Sequence, residues 1–409
     1  MASCIADENS PGGAAGLVTV FDSTGDTIFA RIEGQVPVSA LRSMTRVMQI
    51  APAADDTSLF VQIGEVDVDM ANRVWLFDDQ SNQLFLFDSA GTLVRRIGRQ
   101  GQGPGEFAGG GGLVTLPDTG AALWDAQNAR ISFFTANGDF RTSWPVPAGF
   151  ATNNGLLTDT SGTLYLRRPV SSPREVEVIG RLGLVSLGEG GVFQDSLVPV
   201  DLPVERDTYV AVSPDGRSRT GTSSRLAPNY YWDWHPEGYF VVGHGGRYEI
   251  ILERRPARPV VIRRSAPAVP IVPDERAEEK ERILWTMRRT QPNWSWTGRD
   301  IPEIRAPLAG ITVTRDGNIW SSVATPSERI PDSELPPQRE NGIPIRHYRL
   351  PVVYEVFAPD GRFLGRVPMP PRTTMFQADG NYFWGVTRDE DNLPSIVRFR
   401  LSASFHPDR

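Results

Sequence analysis

Residues 69–97 read DMANRVWLFDDQSNQLFLFDSAGTLVRRI. Two turn signals, Asp69-Met-Ala-Asn72 and Asp88-Ser-Ala-Gly91, separate three runs of strand composition, VWLFD, QLFLFD and TLVRRI. Gly, Asn and Asp supply the positive φ that tight hairpins need, so the stretch predicts an antiparallel meander. The first turn recurs as Pro117-Asp-Thr-Gly120, Asp159-Thr-Ser-Gly162, His235-Pro-Glu-Gly238, Arg315-Asp-Gly317 and Gln377-Ala-Asp-Gly380, each followed at once by an apolar or aromatic run. The second recurs as Thr135-Ala-Asn-Gly138, Leu187-Gly-Glu-Gly190, a looser Arg254-Arg-Pro-Ala257, and Ala358-Pro-Asp-Gly361. With the run that precedes each first turn, a repeat has four strands. Six such repeats predict an all-β, six-bladed β-propeller around a central channel.

The breaks in the repeat are as informative. The last repeat lacks its second turn and fourth strand, while residues 18–32 (VTVFDSTGDTIFARI) repeat the pattern of residues 84–97. This N-terminal strand is expected to complete the last blade and close the ring, removing the free sheet edges. First turns lie roughly 40–50 residues apart early in the chain, near the usual blade period, and farther apart later, so the later blades carry insertions. One spans residues 209–228, where Ser213-Pro-Asp-Gly216 marks either an extra hairpin or a seventh blade. A helical insertion covers about 273–302: residues 274–290 (DERAEEKERILWTMRRT) have acids first, basic residues last, and Ile283, Leu284 and Met287 on one face. Residues 325–351, rich in proline and charge, read as an excursion loop. The organisation expected is a flexible tether, 1–16, and a single propeller domain, 17–409.

Composition narrows the function classes. The chain has 409 residues and a formal net charge of -7, which argues against a phosphate-tracking surface and hence against nucleic acid. Lys280 is the only lysine. Cys4 is the only cysteine, so neither an intrachain disulfide nor a thiolate metal cluster can form. Met1-Ala-Ser-Cys4 has the form of the end of a bacterial lipobox, followed by a small, polar segment suited to a tether. Cys4 is therefore a candidate lipidation site on a periplasmic or cell-surface lipoprotein. The alternative is a cytoplasmic protein with an incidental cysteine.

The segment Gly98-Arg-Gln-Gly-Gln-Gly-Pro-Gly-Glu-Phe107, with Asp125-Ala-Gln-Asn-Ala-Arg-Ile131 and the FDSAG turn, resembles the bacterial six-bladed β-propeller family related to NHL-repeat proteins. The resemblance implies the propeller fold and export, in a family largely without assigned activity. Its glycines let the chain leave the outer strand of one blade and re-enter at the centre of the next. Arg99 and Glu106 either pair across that crossing or point into the channel mouth toward a ligand. Asp78, Asp125 and Asp389 are expected to cap hairpins through their own backbones rather than bind metal.

No G-x-S-x-G, phosphate loop, H-E-x-x-H or Cys/His pair is present. Two resembling enzyme families bear on this. Amidating lyases of NHL type hold zinc with several histidines, and here only His235 and His244 are expected to lie near each other. Gluconolactonase-like propellers hold a divalent ion such as Ca2+; Glu106, Asn153, Asn154 and Asp316 carry oxygens of the right kind. Aromatic clusters are the other candidates: Tyr231, Trp232, Trp234 and His235 ahead of the fourth hairpin, and Trp285, Trp294 and Trp296 in the helical insertion. They either pack the insertion on the ring or, with Arg299 and Arg305, form a lid over a site for a sugar, a peptide or an acidic small molecule. The functional expectation is a monomeric, non-enzymatic module that binds a ligand or protein at the channel mouth, without a resident cofactor. A metal-dependent hydrolase or lyase of lactonase type is the alternative, and a seven-bladed interaction scaffold the second.

Overall fold

The turn residues take the backbone conformation their chemistry allows: Asn72, Gly91, Gly138, Gly162, Gly238, Gly317, Gly361 and Gly380 all have positive φ. The structure is a computed structural model describing residues 17–52, 60–118, 120–146, 155–170, 182–338 and 342–402. Six four-stranded antiparallel units follow one another: blade 1 (63–97), blade 2 (110–145), blade 3 (156–197), blade 4 (230–264), blade 5 (308–368) and blade 6 (373–401 plus Met44–Ile50). Second strands such as Val74–Asp78, Ala121–Asp125 and Tyr239–His244 are buried throughout, because a neighbouring blade covers each face. Fourth strands such as Leu93–Ile97 are largely exposed at the rim.

Each pair of neighbouring blades encloses its own apolar core. Leu84, Phe107 and Leu123 lie between blades 1 and 2, and Tyr165, Trp234 and Val242 between blades 3 and 4. The core between blades 6 and 1 joins Trp384 and Ile396 to Val74 and Phe85, so the ring is closed.

The ring is not closed by the strand the repeat pattern selects. Residues 18–32 form a hairpin, Val18–Thr24 with Thr27–Glu33, and its second strand pairs in parallel with Val260–Arg264, the outer strand of blade 4. Ala30 and Ile32 bury there beside Val260 and Ile262. The strand that completes blade 6 is Met44–Ile50, antiparallel to Pro394–Leu401, with Ile50 opposite Ile396. Between the two, Leu41 bridges to Arg366 and the Arg42 guanidinium donates to the Leu364 carbonyl on the outer strand of blade 5. The N-terminal segment is thus a belt over blades 4 and 5 that ends as the closing strand of blade 6.

Residues 208–223 form a two-stranded hairpin, Thr208–Val212 with Arg219–Ser223, and not a seventh blade. The helix α1 spans Pro273–Thr290, as its charges and apolar face predict. Ile283, Met287 and Trp294 bury against Tyr209 and Ala211 of the hairpin, so the two insertions form one subdomain with its own core. The excursion in blade 5 docks on α1, where His347 Nδ1 and main-chain N–H meet Glu278 at 2.8 and 3.1 Å. All three insertions leave the ring on the face that carries the blade-to-blade links. No helix among the described residues is long and apolar enough to cross a membrane.

Candidate functional site

The blade 1–2 link shows what Arg99 and Glu106 do. A Cβ at Gly98 would lie 2.3 Å from the Phe107 ring, and one at Gly101 2.2 Å from the Glu106 carboxylate, so only glycine fits this crossing. Glu106 pairs with Arg99 at 2.8 Å and accepts the Gly103 N–H at 2.9 Å; that amide, then Arg99, holds its carboxyl below the usual range. Both side chains thus serve the crossing. Asp78 accepts the amides of Val61, Gln62 and Ser81, Asp125 those of Ala108 and Asn128, and Asp389 that of Leu393, which makes all three caps.

The channel, about 500 Å³, opens on the opposite face, where the first turns lie. Its walls are mostly apolar, with Leu113, Leu156, Val313 and Phe376 among them. Two half-buried carboxylates, Asp67 and Asp233, occupy matching positions on the inner strands of blades 1 and 4, two residues before the turn. Asp67 accepts the main-chain N–H groups of Val68 and Thr115 at 2.8 and 2.7 Å and the Thr115 hydroxyl at 2.9 Å. Asp233 accepts those of Trp234 and Val313, both at 2.8 Å. Each ties its blade to the next one. Burial pushes both carboxyls upward against these hydrogen bonds. Arg315 is saturated in the same way: it donates to the carbonyls of Val68 and Asp69 at 3.0 and 2.8 Å and pairs with Asp379 at 2.9 Å, linking blades 5, 6 and 1.

These contacts decide what a divalent ion would find. Among the described residues no three His, Cys, Asp or Glu side chains converge as metal ligands. Glu106 sits in a blade link and Asp316 in a first turn, at opposite ends of the blades, while Asn153 and Asn154 lie outside the described residues, as does Cys4. His235 and His244 are also separated: they end successive antiparallel strands, each paired with the far end of the other. The described donor set does not fit a cation.

Of the aromatic candidates, Tyr231 packs in the core between blades 4 and 5, and Trp232 and Trp234 in that between blades 3 and 4. The Arg167 guanidinium lies 4.3 Å from the Trp232 ring. His235 is buried, stacked on Tyr239 at 4.1 Å; its Nε2 donates to the Gly317 carbonyl and its Nδ1 accepts the Glu237 N–H, both at 3.1 Å. Burial pushes its pKa down to about 4. Trp294 donates to the Val210 carbonyl at 2.9 Å, and Trp296 packs on Tyr209 at 4.5 Å. These two hold the insertion together.

Arg299 and Arg305 meet at a cavity that His244 also lines. It measures about 650 Å³ and lies where the insertion subdomain meets blade 4, lined by residues of 203–209, 224–228, 244–247 and 299–307. Its wall at 301–305 is clamped by main-chain bonds from Ile271 N–H to Glu303 O, 2.7 Å, and from Arg305 N–H to Val269 O, 2.8 Å. Buried Arg305 pairs with Glu275 in the first turn of α1, and Arg225 bridges to Glu279 one turn later at 3.0 Å. Arg299 pairs with Glu205 at 2.7 Å, and Tyr209 donates to the Arg299 carbonyl at 3.3 Å. Sequence reasoning missed Arg206 and Arg247 here, and singled out His244 only as a zinc-type ligand beside His235. Arg206 adjoins the interruption at 209–228, whereas Arg247 lies in a regular turn of blade 4 that no break in the pattern marks.

Residues 34–109 match the DUF5128 family model, described as a 6-bladed beta-propeller. No curated protein matches the chain. Among solved structures, a Bacteroides fragilis protein named as exported is 10% identical over 92% of this chain and 99% of its own, with a TM-score of 0.47. A DUF4221 member from Bacteroides vulgatus is 12% identical over 88% and 99%, TM-score 0.49, and the virginiamycin B lyase of Staphylococcus aureus 9% over 88% and 99%, TM-score 0.41. The chain is a six-bladed β-propeller, similar over residues 34–109 to the family of that description.

Proposed function

We propose that the chain is a non-enzymatic binding propeller that takes a small acidic ligand in the cavity between its insertion subdomain and blade 4, rather than at the channel mouth. The observation that carries this reading is the cationic lining: Arg206, Arg247, Arg299 and Arg305 face the cavity against Glu205, Asp207 and Asp300. Arg299 already engages Glu205 with its side chain and Asp207 with its main-chain N–H. Arg206 is held by the uncharged Asn229 carbonyl oxygen, so its charge is not cancelled there. Arginine forks suit carboxylates; Arg247 meets Glu249 at 3.5 Å and Arg305 meets Glu275, which leaves Arg206 as the arginine whose partner carries no charge. The channel is the weaker candidate, because its charged groups are spent on joining blades.

The test is calorimetric titration with small carboxylates against Arg206→Ala and Arg299→Ala, with the rim variant Arg95→Ala as control. Each cavity variant is expected to weaken binding about tenfold, a change of roughly 1.4 kcal/mol. Unchanged affinity in both would overturn the reading. Export belongs to the same proposal, with Cys4 as the lipid-bearing residue; mass spectrometry that finds Cys4 unmodified on protein from its native host would remove the anchor.

A further inference from the structure

Every blade but the fourth breaks the register of its outermost strand pair. The register slips between Leu86 and Phe87 in blade 1, Phe133 and Phe134 in blade 2, and Val185 and Leu187 in blade 3. It slips again between Val356 and Phe357 in blade 5 and between Arg46 and Met48 in blade 6. Such irregularities bend an outer strand and keep it from templating another chain. The sheet of blade 4 is built differently. The N-terminal hairpin extends it to six strands, and neither Thr27–Glu33 on Val260–Arg264 nor Val18–Thr24 on Thr27–Glu33 has a register shift. Val18–Thr24 is therefore a regular edge of seven residues without proline.

The outward side of this edge carries free main-chain groups. Ile28 N–H donates to Pro259 O at 3.0 Å and Ile32 O accepts from Ser265 N–H at 3.2 Å, so the even-numbered residues of Thr27–Glu33 bond toward blade 4. Opposite Ile28, Ala30 and Ile32 stand Ser23, Phe21 and Thr19. Residues of an antiparallel pair that do not bond each other turn their N–H and C=O to the far side. Thr19, Phe21 and Ser23 thus each present a donor and an acceptor outward, and no described strand lies against them.

We propose that this edge is an interface between two copies of the chain: Val18–Thr24 pairs antiparallel with itself across a two-fold axis at Phe21. The axis sets Thr19 opposite Ser23 of the second copy and Phe21 opposite its own equivalent, and each outward residue then exchanges both main-chain bonds. The side chains suit a copy better than a foreign charged strand. Asp22 is the only charged residue of the edge, Arg31 neutralises it at 2.8 Å, and this register places it opposite Val20. Half-buried Phe21 meets a second phenyl ring, a cross-strand pair that stabilises sheets. The dimer replaces the monomer expected from sequence and is independent of the ligand cavity.

Sedimentation of the full chain at micromolar to millimolar concentration tests this, and a reversible dimer is expected. Thr19→Lys with Ser23→Lys sets like charges opposite each other at both ends of the pairing and should weaken it about tenfold. Thr19→Lys with Ser23→Glu sets opposite charges there and should return the affinity to within about threefold of wild type. Hydrogen exchange on the unsubstituted chain gives a second readout: the amides of Thr19, Phe21 and Ser23 should gain protection as concentration rises, while those of Val20 and Asp22, already bonded within the hairpin, should not. A chain that stays monomeric at millimolar concentration, or a dimer that both double variants leave unchanged, would overturn the proposal. So would a dimer that forms only after residues 1–16 are removed, which would assign the edge to that segment.

Discussion

At the scale of single residues, buried His235 and half-buried Glu65 set opposite pH responses. His235 is neutral, with both ring nitrogens satisfied in that form, and burial pushes its pKa down to about 4. The unfolded chain takes up this proton near pH 6.5, so the contribution of His235 is present above that pH and is lost as pH falls toward 4. Relative to His235→Gln, the wild type should lose on the order of 2 kcal/mol between pH 7 and 4.5, read from urea melts; parallel curves would refute this. Glu65 goes the other way. Burial, and then the neighbouring Asp79, push its carboxyl up to about 7. Its contribution is full below pH 4.5 and is lost as pH rises through 7. Glu65→Gln should therefore stabilise the protein by about 1–2 kcal/mol at pH 8 and leave it nearly unchanged at pH 4.5. A variant no more stable at pH 8 would contradict the assignment.

Residue roles were legible only where they are local. Asp78 caps Ser81 and Asp125 caps Asn128 within their own turns, which follows from sequence, while their bonds to Gln62 and Ala108 do not. Asp67 and Asp233 bond to the next blade, 48 and 80 residues away, and no local pattern announces that. Their trace is a polar residue at the inner-strand position that, by strand pairing, Val114 and Leu157 fill in blades 2 and 3.

At the scale of elements, the hairpins were readable because positive φ is a property of one residue. Ring closure was not. Residues 18–32 have the cleaner alternation, yet the closing strand is Met44–Ile50, whose pattern is blurred by a register shift between Arg46 and Met48 and by an exposed Val47. Only Met48 and Ile50 enter the core between blades 6 and 1. Deleting residues 1–32 should accordingly leave a folded, closed ring, at a cost of about 2–4 kcal/mol for the lost burial of Ala30 and Ile32. Ile50→Ala should cost roughly 3 kcal/mol, and deletion through residue 50 should expose Pro394–Leu401 as an edge and aggregate. A 1–32 deletion that aggregates as badly as the longer one would place closure back on the hairpin. Within the insertion, Trp294→Ala should cost about 3–5 kcal/mol because it empties the core between α1 and the hairpin, whereas exposed-side Trp296→Ala should cost less. Equal and small losses would favour a lid over a packed subdomain.

At the scale of the molecule, the ring and its insertions divide the labour. Six inter-blade cores hold the ring, and Asp67, Asp233 and Arg315 of the channel are committed to ties between blades. The insertions gather on the linking face and enclose a cavity that Arg206, Arg247, Arg299 and Arg305 line. Because four separate segments build it, from the 203–209 link to the 299–307 return, sequence pattern reached only Arg299 and Arg305 of its lining. The central claim is that the ligand site is this cavity and not the channel. A crystal structure of the protein soaked with a small carboxylate tests it most directly. Density beside Arg206 and Arg299 beneath the insertion, with the channel holding none, is the predicted result; density beside Arg315 in the channel and none beneath the insertion would contradict it.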